Sequence, residues 1–326
     1  MQNYQVIRKR KVVVVVGPTA SGKTGIGVKL AKEFDGEIIS ADSRQVYRGL
    51  DIGTGKDLSE LEGVKYHLID IIDTGEKMTL FDYLPLARAA IEDILSRGKL
   101  PIIVGGTGLY IQGIVEGFEL EKNEVKSKKE MKIYAREQLC DLTAEQLSAI
   151  LQKIDPEKYE AIDHKNQHRL IRAIELAQEG LRPVKVKPDF EVLEIGLDIP
   201  RNELHERIDR RVDERFKTGM LEEVVGLLNA GVSPEWLLGL GLEYRDITNY
   251  VIESGIWNLE SGLNKKLLDS EFKILNSGFQ TMVQRLKYRI HQFARRQMTW
   301  FRRFPEINWL SDYDEMKRFV KIFLEH

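Results

Sequence analysis

One cysteine, Cys140, stands in a chain of 326 residues. That scarcity excludes an internal disulfide framework and any multi-cysteine zinc site. Long hydrophobic runs are missing too: no apolar stretch approaches the ~18 residues a membrane-spanning helix needs, so no membrane span is expected. The opening MQNYQVIRKRK carries charge but no apolar h-region, so it does not read as a secretory signal, and the cytoplasm is the expected compartment. Nor is there a surplus of one charge. Lys and Arg number 49 against 51 Asp and Glu, a formal net charge of −2. Any attraction to nucleic acid must therefore come from a local patch. What is present suffices for a real core and a soluble surface, with 42% apolar and 31% charged residues. The length fits one large domain with an insertion, or two domains.

The stretch Lys11 to Thr24, KVVVVVGPTASGKT, organises the rest. Val12 to Val16 read as a strand buried on both faces, the mark of a parallel sheet. Gly17-Pro18-Thr19-Ala20-Ser21-Gly22-Lys23-Thr24 then fits G-x-x-x-x-G-K-[ST] without a mismatch. Gly17 and Gly22 let successive N–H groups point into one anion-sized nest. The helix that follows adds its positive end, Lys23 reaches a terminal phosphate, and the Thr24 hydroxyl is placed to hold Mg2+. The spacing predicts phosphate binding, for which an ATP-binding kinase or ATPase is the commonest expectation.

Further along, Gly25 to Phe34 reads as a helix and Glu37 to Ala41 as a strand ending on Asp42. Gly49 to Lys56 is loop-like, His67 to Asp70 looks like a strand end, Leu80 to Arg97 has a helical apolar period, and Leu100 to Val104 is another buried strand. Alternating strands and helices with short links predict a doubly wound parallel sheet. At about Glu119 the pattern turns charged and helix-prone. Asn166 to Glu179 reads as a helix, Glu191 to Ile199 returns to strand, and Pro200 opens a long helix; the remainder reads as almost entirely helical. The expected architecture is α/β: a P-loop-type doubly wound parallel sheet from residues 1–118 and 166–200, a helical insertion over 119–165, and a helical C-terminal region over 201–326, basic toward its end.

Several residues could carry chemistry, each with a plainer alternative. Asp42, at a strand's carboxyl end where open α/β sheets bind ligands, could be a general base or a neighbour of the magnesium hydration shell. Thr107 lies in the glycine turn Gly105-Gly106-Thr107-Gly108 and could present its hydroxyl to a ligand or cap a helix. Arg207, Arg211 and Arg215 share one helix face, either as a salt-bridged solvated surface or with one fork for a pyrophosphate. From Phe272 to Pro305 there is no Asp or Glu, yet Arg295, Arg296 and other cations interleave with Tyr288, Phe293, Trp300, Phe301 and Phe304. That suits looped RNA, with the aromatics expected to be mostly core and the arginines mostly phosphate-facing. A small-molecule kinase, a nucleic-acid module without chemistry, and an enzyme using a phosphorylated donor to modify RNA all fit; the last employs every feature.

The segments GPTASGKT (17–24), ADSRQVYRGLDIGTGK (41–56), HLID (67–70), IIVGGTGLYI (102–111), NQHRLIRAIE (166–175), RIDRRVDERFKTGMLEEV (207–224) and ARRQMTWFRR (294–303) follow one another in order. Together they resemble the tRNA dimethylallyltransferase family, also called tRNA isopentenyltransferases. The resemblance implies transfer of a dimethylallyl group from dimethylallyl diphosphate to the exocyclic amine of the adenine 3′-adjacent to the anticodon. It implies that Gly17, Thr19, Ala20, Ser21, Gly22, Lys23 and Thr24, with Arg211, hold the donor's diphosphate and do not hydrolyse ATP. Asp42 then matches the general base and Thr107 the threonine at the reacting centre. Asp42, Ser43, Arg44 and Gln45, with His168, Arg169 and Arg172, match stretches that touch tRNA, and the insertion matches the part gripping the anticodon stem-loop. The adenine must be flipped to reach the donor. Tyr66, Gly55, Asp57 and Glu243 depart from the commonest family pattern. With one cysteine the chain lacks the zinc finger of many eukaryotic members, so a bacterial-type enzyme is expected, acting as a monomer.

Overall fold

A computed structural model describes residues 10–56, 58–122, 133–258, 262–263 and 277–326. Asp57, the charged run 123–132 and residues 272–276 of the basic stretch lie outside the described residues. The chain divides into two compact units, Met1–Val115 with Pro188–His326, and Glu116–Lys187.

The larger unit is laid down as β1 (Lys11–Val16), α1 (Lys23–Glu33), β2 (Gly36–Ser40), β3 (Tyr66–His67), α2 (Leu80–Ser96), β4 (Leu100–Gly105) and α3 (Gly108–Val115). The smaller unit interrupts it with β5 (Phe118–Lys122), α4 (Arg136–Cys140), α5 (Ala144–Ile154), α6 (Pro156–Glu160), α7 (Gln167–Glu179) and β6 (Leu181–Lys185). The chain then resumes with β7 (Glu191–Leu197), α8 (Arg201–Lys217), α9 (Met220–Asn229), α10 (Pro234–Leu240), α11 (Leu242–Glu253), β8 (Trp257–Asn258), β9 (Gly262–Leu263), α12 (Ser277–Phe301), β10 (Asn308–Leu310) and α13 (Tyr313–Glu325).

Six strands form one parallel sheet in the order β10-β7-β1-β4-β2-β3. All five valines of β1 are fully buried, as a central strand covered on both faces requires. Asp42 does not leave a strand adjacent to β1, because β4 runs between β1 and β2. Register compensates for that extra strand. Val16 pairs with Gly105 and Ser40 with Val104, so the P-loop, the Asp42 turn and the Gly106 turn leave the sheet at one level.

The C-terminal region is not wholly helical. Residues 308–310 form a strand on the edge of the sheet, too short to show any period in the sequence, and Met316 and Val320 of α13 join Val13, Val15 and Ile195 in one core cluster. The other helices build a second core, where Leu204, Ile208, Val224, Leu237, Tyr244 and Leu286 pack with Val46, Tyr47 and Leu50. In the smaller unit α7 buries Leu170, Ile171 and Ile174 against Leu139, Leu147 and Leu151. That apolar face, with the antiparallel β5–β6 pair, assigns residues 166–187 to the smaller unit, where the sequence suggested a return to the core at 166. Among the described residues no helix is long and apolar enough to cross a membrane.

Candidate active site

The P-loop is shaped by backbone that only small residues accept. A Cβ on Gly17 would lie 2.9 Å from Ser21 Oγ and 3.3 Å from Leu197 Cβ, and Gly22 opens α1 at φ 87°. Ala20 also adopts a left-handed φ, 62°, and Ser21 N donates to Pro18 O at 3.3 Å. Ser21 is buried and its hydroxyl oxygen has no protein partner. An orphaned polar atom inside such a nest is what a bound anion would satisfy. Lys23 donates to Pro18 O at 2.9 Å. Desolvation, and then the Arg211 charge, lower its pKa to about 8, while Asp42 acts in the opposite sense.

Thr19 and Lys23 line a cavity of about 330 Å³ in the larger unit, and Asp42, Ser43, Arg44, Thr107, Arg211 and Arg296 line it too. Asp42 Oδ1 accepts from Arg44 N at 2.9 Å, which fixes the carboxylate in a tight local turn. Thr107 Oγ1 accepts from Ser43 N at 3.0 Å and meets Ser43 Oγ at 3.3 Å, while Thr107 N donates to Ala41 O. The Thr107 hydroxyl thus ties its turn to the Asp42 turn and is not spent on its own helix.

The arginine face of α8 is turned onto the site, against the solvated-surface alternative. Arg207 donates to Ser21 O at 3.3 Å, Arg211 to Thr19 Oγ1, and buried Arg215 to Gly53 O at 3.1 Å. Off that face, Asp213 pairs with Lys287 of α12, and Asp209 lies 2.9 Å from His291 of the same helix. The aromatics of α12 divide differently from expectation. Phe301 is buried, Phe293 and Trp300 line the cavity, and Tyr288 is exposed, because α12 covers the site with one face and meets solvent with another.

Some expected residues fall elsewhere. Gln45 is not in the cavity wall; it accepts from Ser40 Oγ at 2.9 Å and donates to Gly55 O at 3.2 Å. Arg295 is exposed on α12. His168, Arg169 and Arg172 belong to α7 of the smaller unit, where Arg172 pairs with Glu175 at 3.2 Å. Thr24 is half-buried in the first turn of α1.

Three residues that hold the site's elements together escaped the sequence reading. Buried Gln297 accepts from Thr19 N at 2.8 Å and donates to Gly106 O at 2.9 Å, clamping the P-loop to the Gly106–Thr107 turn. Its phase with Ala294 and Phe301 on the apolar face of α12 was the visible sign. Glu243, noted only as a departure, is buried and meets Arg44 at 3.3 Å and Arg215 at 3.4 Å. Glu223 accepts from the N–H groups of Asp51, Ile52 and Gly53, at 2.9, 2.6 and 3.1 Å, and holds the loop whose Gly53 carbonyl receives Arg215; nothing local in the sequence signals it.

The cavity wall carries oxygen donors and cations but no histidine or cysteine, a set that suits a hard ion such as Mg2+ beside a phosphate and not a softer metal. A separate cluster, Glu37, His67 and Asp93, brings two carboxylates and an imidazole together. Arg97, followed by His67 and Lys65, already serves it and holds the Glu37 carboxyl down at about 2, so it is an ion-pair network.

Family comparison agrees with this geometry. The IPP transferase model matches residues 45–304 and the isopentenyl transferase model residues 10–73. A tRNA dimethylallyltransferase 2 of Shewanella sediminis is 42% identical over 318 residues, 95% of this chain and 94% of that protein. Its namesake in Syntrophotalea carbinolica is 40% identical, over 96% of this chain and 98% of that one. The crystal structure of the tRNA isopentenylpyrophosphate transferase from Bacillus halodurans superposes with a TM-score of 0.66 at 33% identity, covering 97% of each chain. A eukaryotic dimethylallyltransferase acting on tRNA gives a TM-score of 0.65 at 25% identity, over 89% of this chain and 69% of that one.

Proposed function

We infer the function from membership: this chain belongs to the IPP transferase family, the tRNA dimethylallyltransferases, and it transfers a dimethylallyl group from dimethylallyl diphosphate to tRNA. The acceptor we assign is the exocyclic amine of the adenine 3′-adjacent to the anticodon. The observation that carries this reading is the meeting of Thr19, Lys23 and Arg211 with Asp42 and Thr107 around one cavity.

In this proposal the diphosphate occupies the P-loop nest, at the positive end of α1, with Lys23 and Arg211 as its counter-charges. A Lys23 pKa of about 8 leaves the ammonium charged at neutral pH, and a bound anion raises it again. As the C1–O bond of the donor breaks, its electron pair leaves on diphosphate, where these cations and the loop N–H groups stabilise it. The adenine N6 forms the new bond to C1, and Asp42 takes the proton that N6 loses. The hydrogen bond from Arg44 N holds the carboxylate toward the cavity, and Thr107 keeps the adjoining turn in register. Mg2+, held through the Thr24 hydroxyl, would neutralise further charge on the diphosphate when bound. Ser43, Arg44, Arg295 and Arg296, with His168, Arg169 and Arg172 of the smaller unit, are our candidates for contact with the anticodon stem-loop. A cytoplasmic monomer completes the proposal.

The test sets labelled dimethylallyl diphosphate against labelled ATP, each with an anticodon stem-loop RNA. Label is expected in RNA from the prenyl donor alone. Transfer from ATP, with none from dimethylallyl diphosphate, would make the protein a kinase.

A further inference from the structure

One face of α12 is left unused by the cavity. Arg285, Tyr288, Gln292, Arg295 and Thr299 recur at three- and four-residue steps, which places them on one stripe of the helix. Tyr288 leaves 64% of its surface in solvent, whereas Phe301 on the same helix leaves 2%. Arg285 and Arg289, three residues before Tyr288 and one after it, both reach Asp246 of α11, Arg285 at 3.5 Å. The Asp246 side chain is 1% exposed, and the guanidinium side chains remain 45% and 42% exposed. A single buried carboxylate thus anchors two cations and leaves them a net positive charge facing water. Further along the helix, Arg295, Arg296, Arg302 and Arg303 make no ion pair among the described residues. Tyr288 lies eight residues, about 12 Å along the helix axis, from Arg296 in the cavity wall.

We propose that Tyr288, flanked by Arg285 and Arg289, is a nucleotide subsite outside the cavity. Its ring stacks on the base of an RNA nucleotide flanking the acceptor adenine, and the two guanidinium groups meet the adjoining phosphates. The inference rests on the prenyl-transfer reading of the cavity. Charge selects the occupant: an exposed ring among arginines suits a base joined to phosphates. A protein hot spot would need an apolar surround to exclude water, and this stripe offers Gln, Thr and Arg. A free nucleotide gains too little on an open helix surface. A nucleotide tethered to one already held in the cavity binds at high effective concentration.

The experiment uses the full chain and anticodon stem-loop RNAs carrying 2-aminopurine at each position flanking the target adenine, with labelled dimethylallyl diphosphate. Tyr288→Ala is expected to raise the KM for RNA about tenfold, to leave the KM for the donor in place, and to remove the fluorescence quenching seen at one flanking position. Tyr288→Phe keeps the ring and restores both readouts. Unchanged RNA KM and quenching in Tyr288→Ala would overturn the subsite, and a Tyr288→Phe defect equal to Tyr288→Ala would replace stacking by a hydroxyl contact. Should the wild-type chain fail to prenylate the RNA, the functional reading falls, while the quenching comparison still decides whether Tyr288 stacks on a base.

Discussion

The phosphate side of the cavity and its acceptor side differ in how the chain assembles them. Thr19 and Lys23 come from eight consecutive residues whose conformation is set by Gly17 and Gly22. The facing wall gathers Asp42 from the end of β2, Thr107 from the turn after β4, Glu243 from α11 and Arg296 from α12, while Arg211 of α8 reaches across to Thr19 on the phosphate side. The first is a local backbone solution that any protein with this motif can reuse for a nucleotide. The second exists only when distant segments pack together, and it decides what the bound anion is for. Variants that break one side and spare the other test whether the division is real.

The largest effect is expected on the acceptor side. Asp42→Asn keeps the shape of the turn but cannot take the N6 proton, so kcat should fall by about 10²- to 10⁴-fold. Melting temperature and RNA binding are the controls, since the side chain is only partly buried. Near-normal turnover would remove Asp42 as the base and return it to a role beside the metal.

Next comes Lys23→Ala on the phosphate side. It should raise the donor KM and lower kcat together, by about 10²-fold in all, if as proposed the same charge binds the diphosphate and stabilises it as it leaves. The pKa supplies a second readout. Desolvation, and then Arg211, bring Lys23 to about 8, so donor affinity of the free enzyme should fall as pH rises through that value, and the variant should lose this step. In the unfolded chain the same group titrates at 10.5. Between the two values the unfolded state holds the extra proton, so raising pH should stabilise the free enzyme over that window.

The contrast between the two sides also explains what the sequence could disclose. Residues 17–24 were readable because the shape of their nest lies in their own backbone and in the strand before them. The all-valine β1 announced a central strand, yet nothing in it could say that β4 and not β2 would lie beside it; strand order is decided by long-range pairing. Asp42 and Thr107 were visible as polar residues at strand ends, but their meeting depends on the register of Gly105 and Val104 with two different neighbours. Gln297 shows its phase on the apolar face of α12 but not its partners Thr19 and Gly106, and β10 falls in a stretch that reads as helical because three residues carry no local period. The small unit shows the same limit: charge hid the insertion's end, since α7 has a core-type apolar face whichever unit it joins.

Gln297 is where the two sides are fastened. Gln297→Leu leaves Thr19 N–H and Gly106 C=O unpaired in a buried place, at a cost of about 1–3 kcal/mol. A lower melting temperature is expected, with a loss of kcat/KM near tenfold shared between donor and RNA. A donor-only defect would mean that the clamp shapes the P-loop alone and that the acceptor turn stands without it.

The smallest effect belongs to the outermost cations. Arg295 and Arg296 are both exposed on α12, but only Arg296 borders the cavity, with its guanidinium 5.9 Å from the Phe293 ring. If both meet phosphates of a looped strand, each contributes about 0.7 to the slope of log K against log salt. Arg295→Gln with Arg296→Gln should then lower that slope by about 1.4 and weaken RNA binding several-fold at moderate salt, measured by equilibrium titration over a salt series. The single variants separate the two: Arg295→Gln should change the slope and the RNA affinity alone, while Arg296→Gln should also lower kcat because it borders the cavity. An unchanged slope in the double variant would mean that these guanidinium groups serve the cavity wall through Phe293 and not the RNA backbone, and the basic character of α12 would then be carried by Arg285 and Arg289.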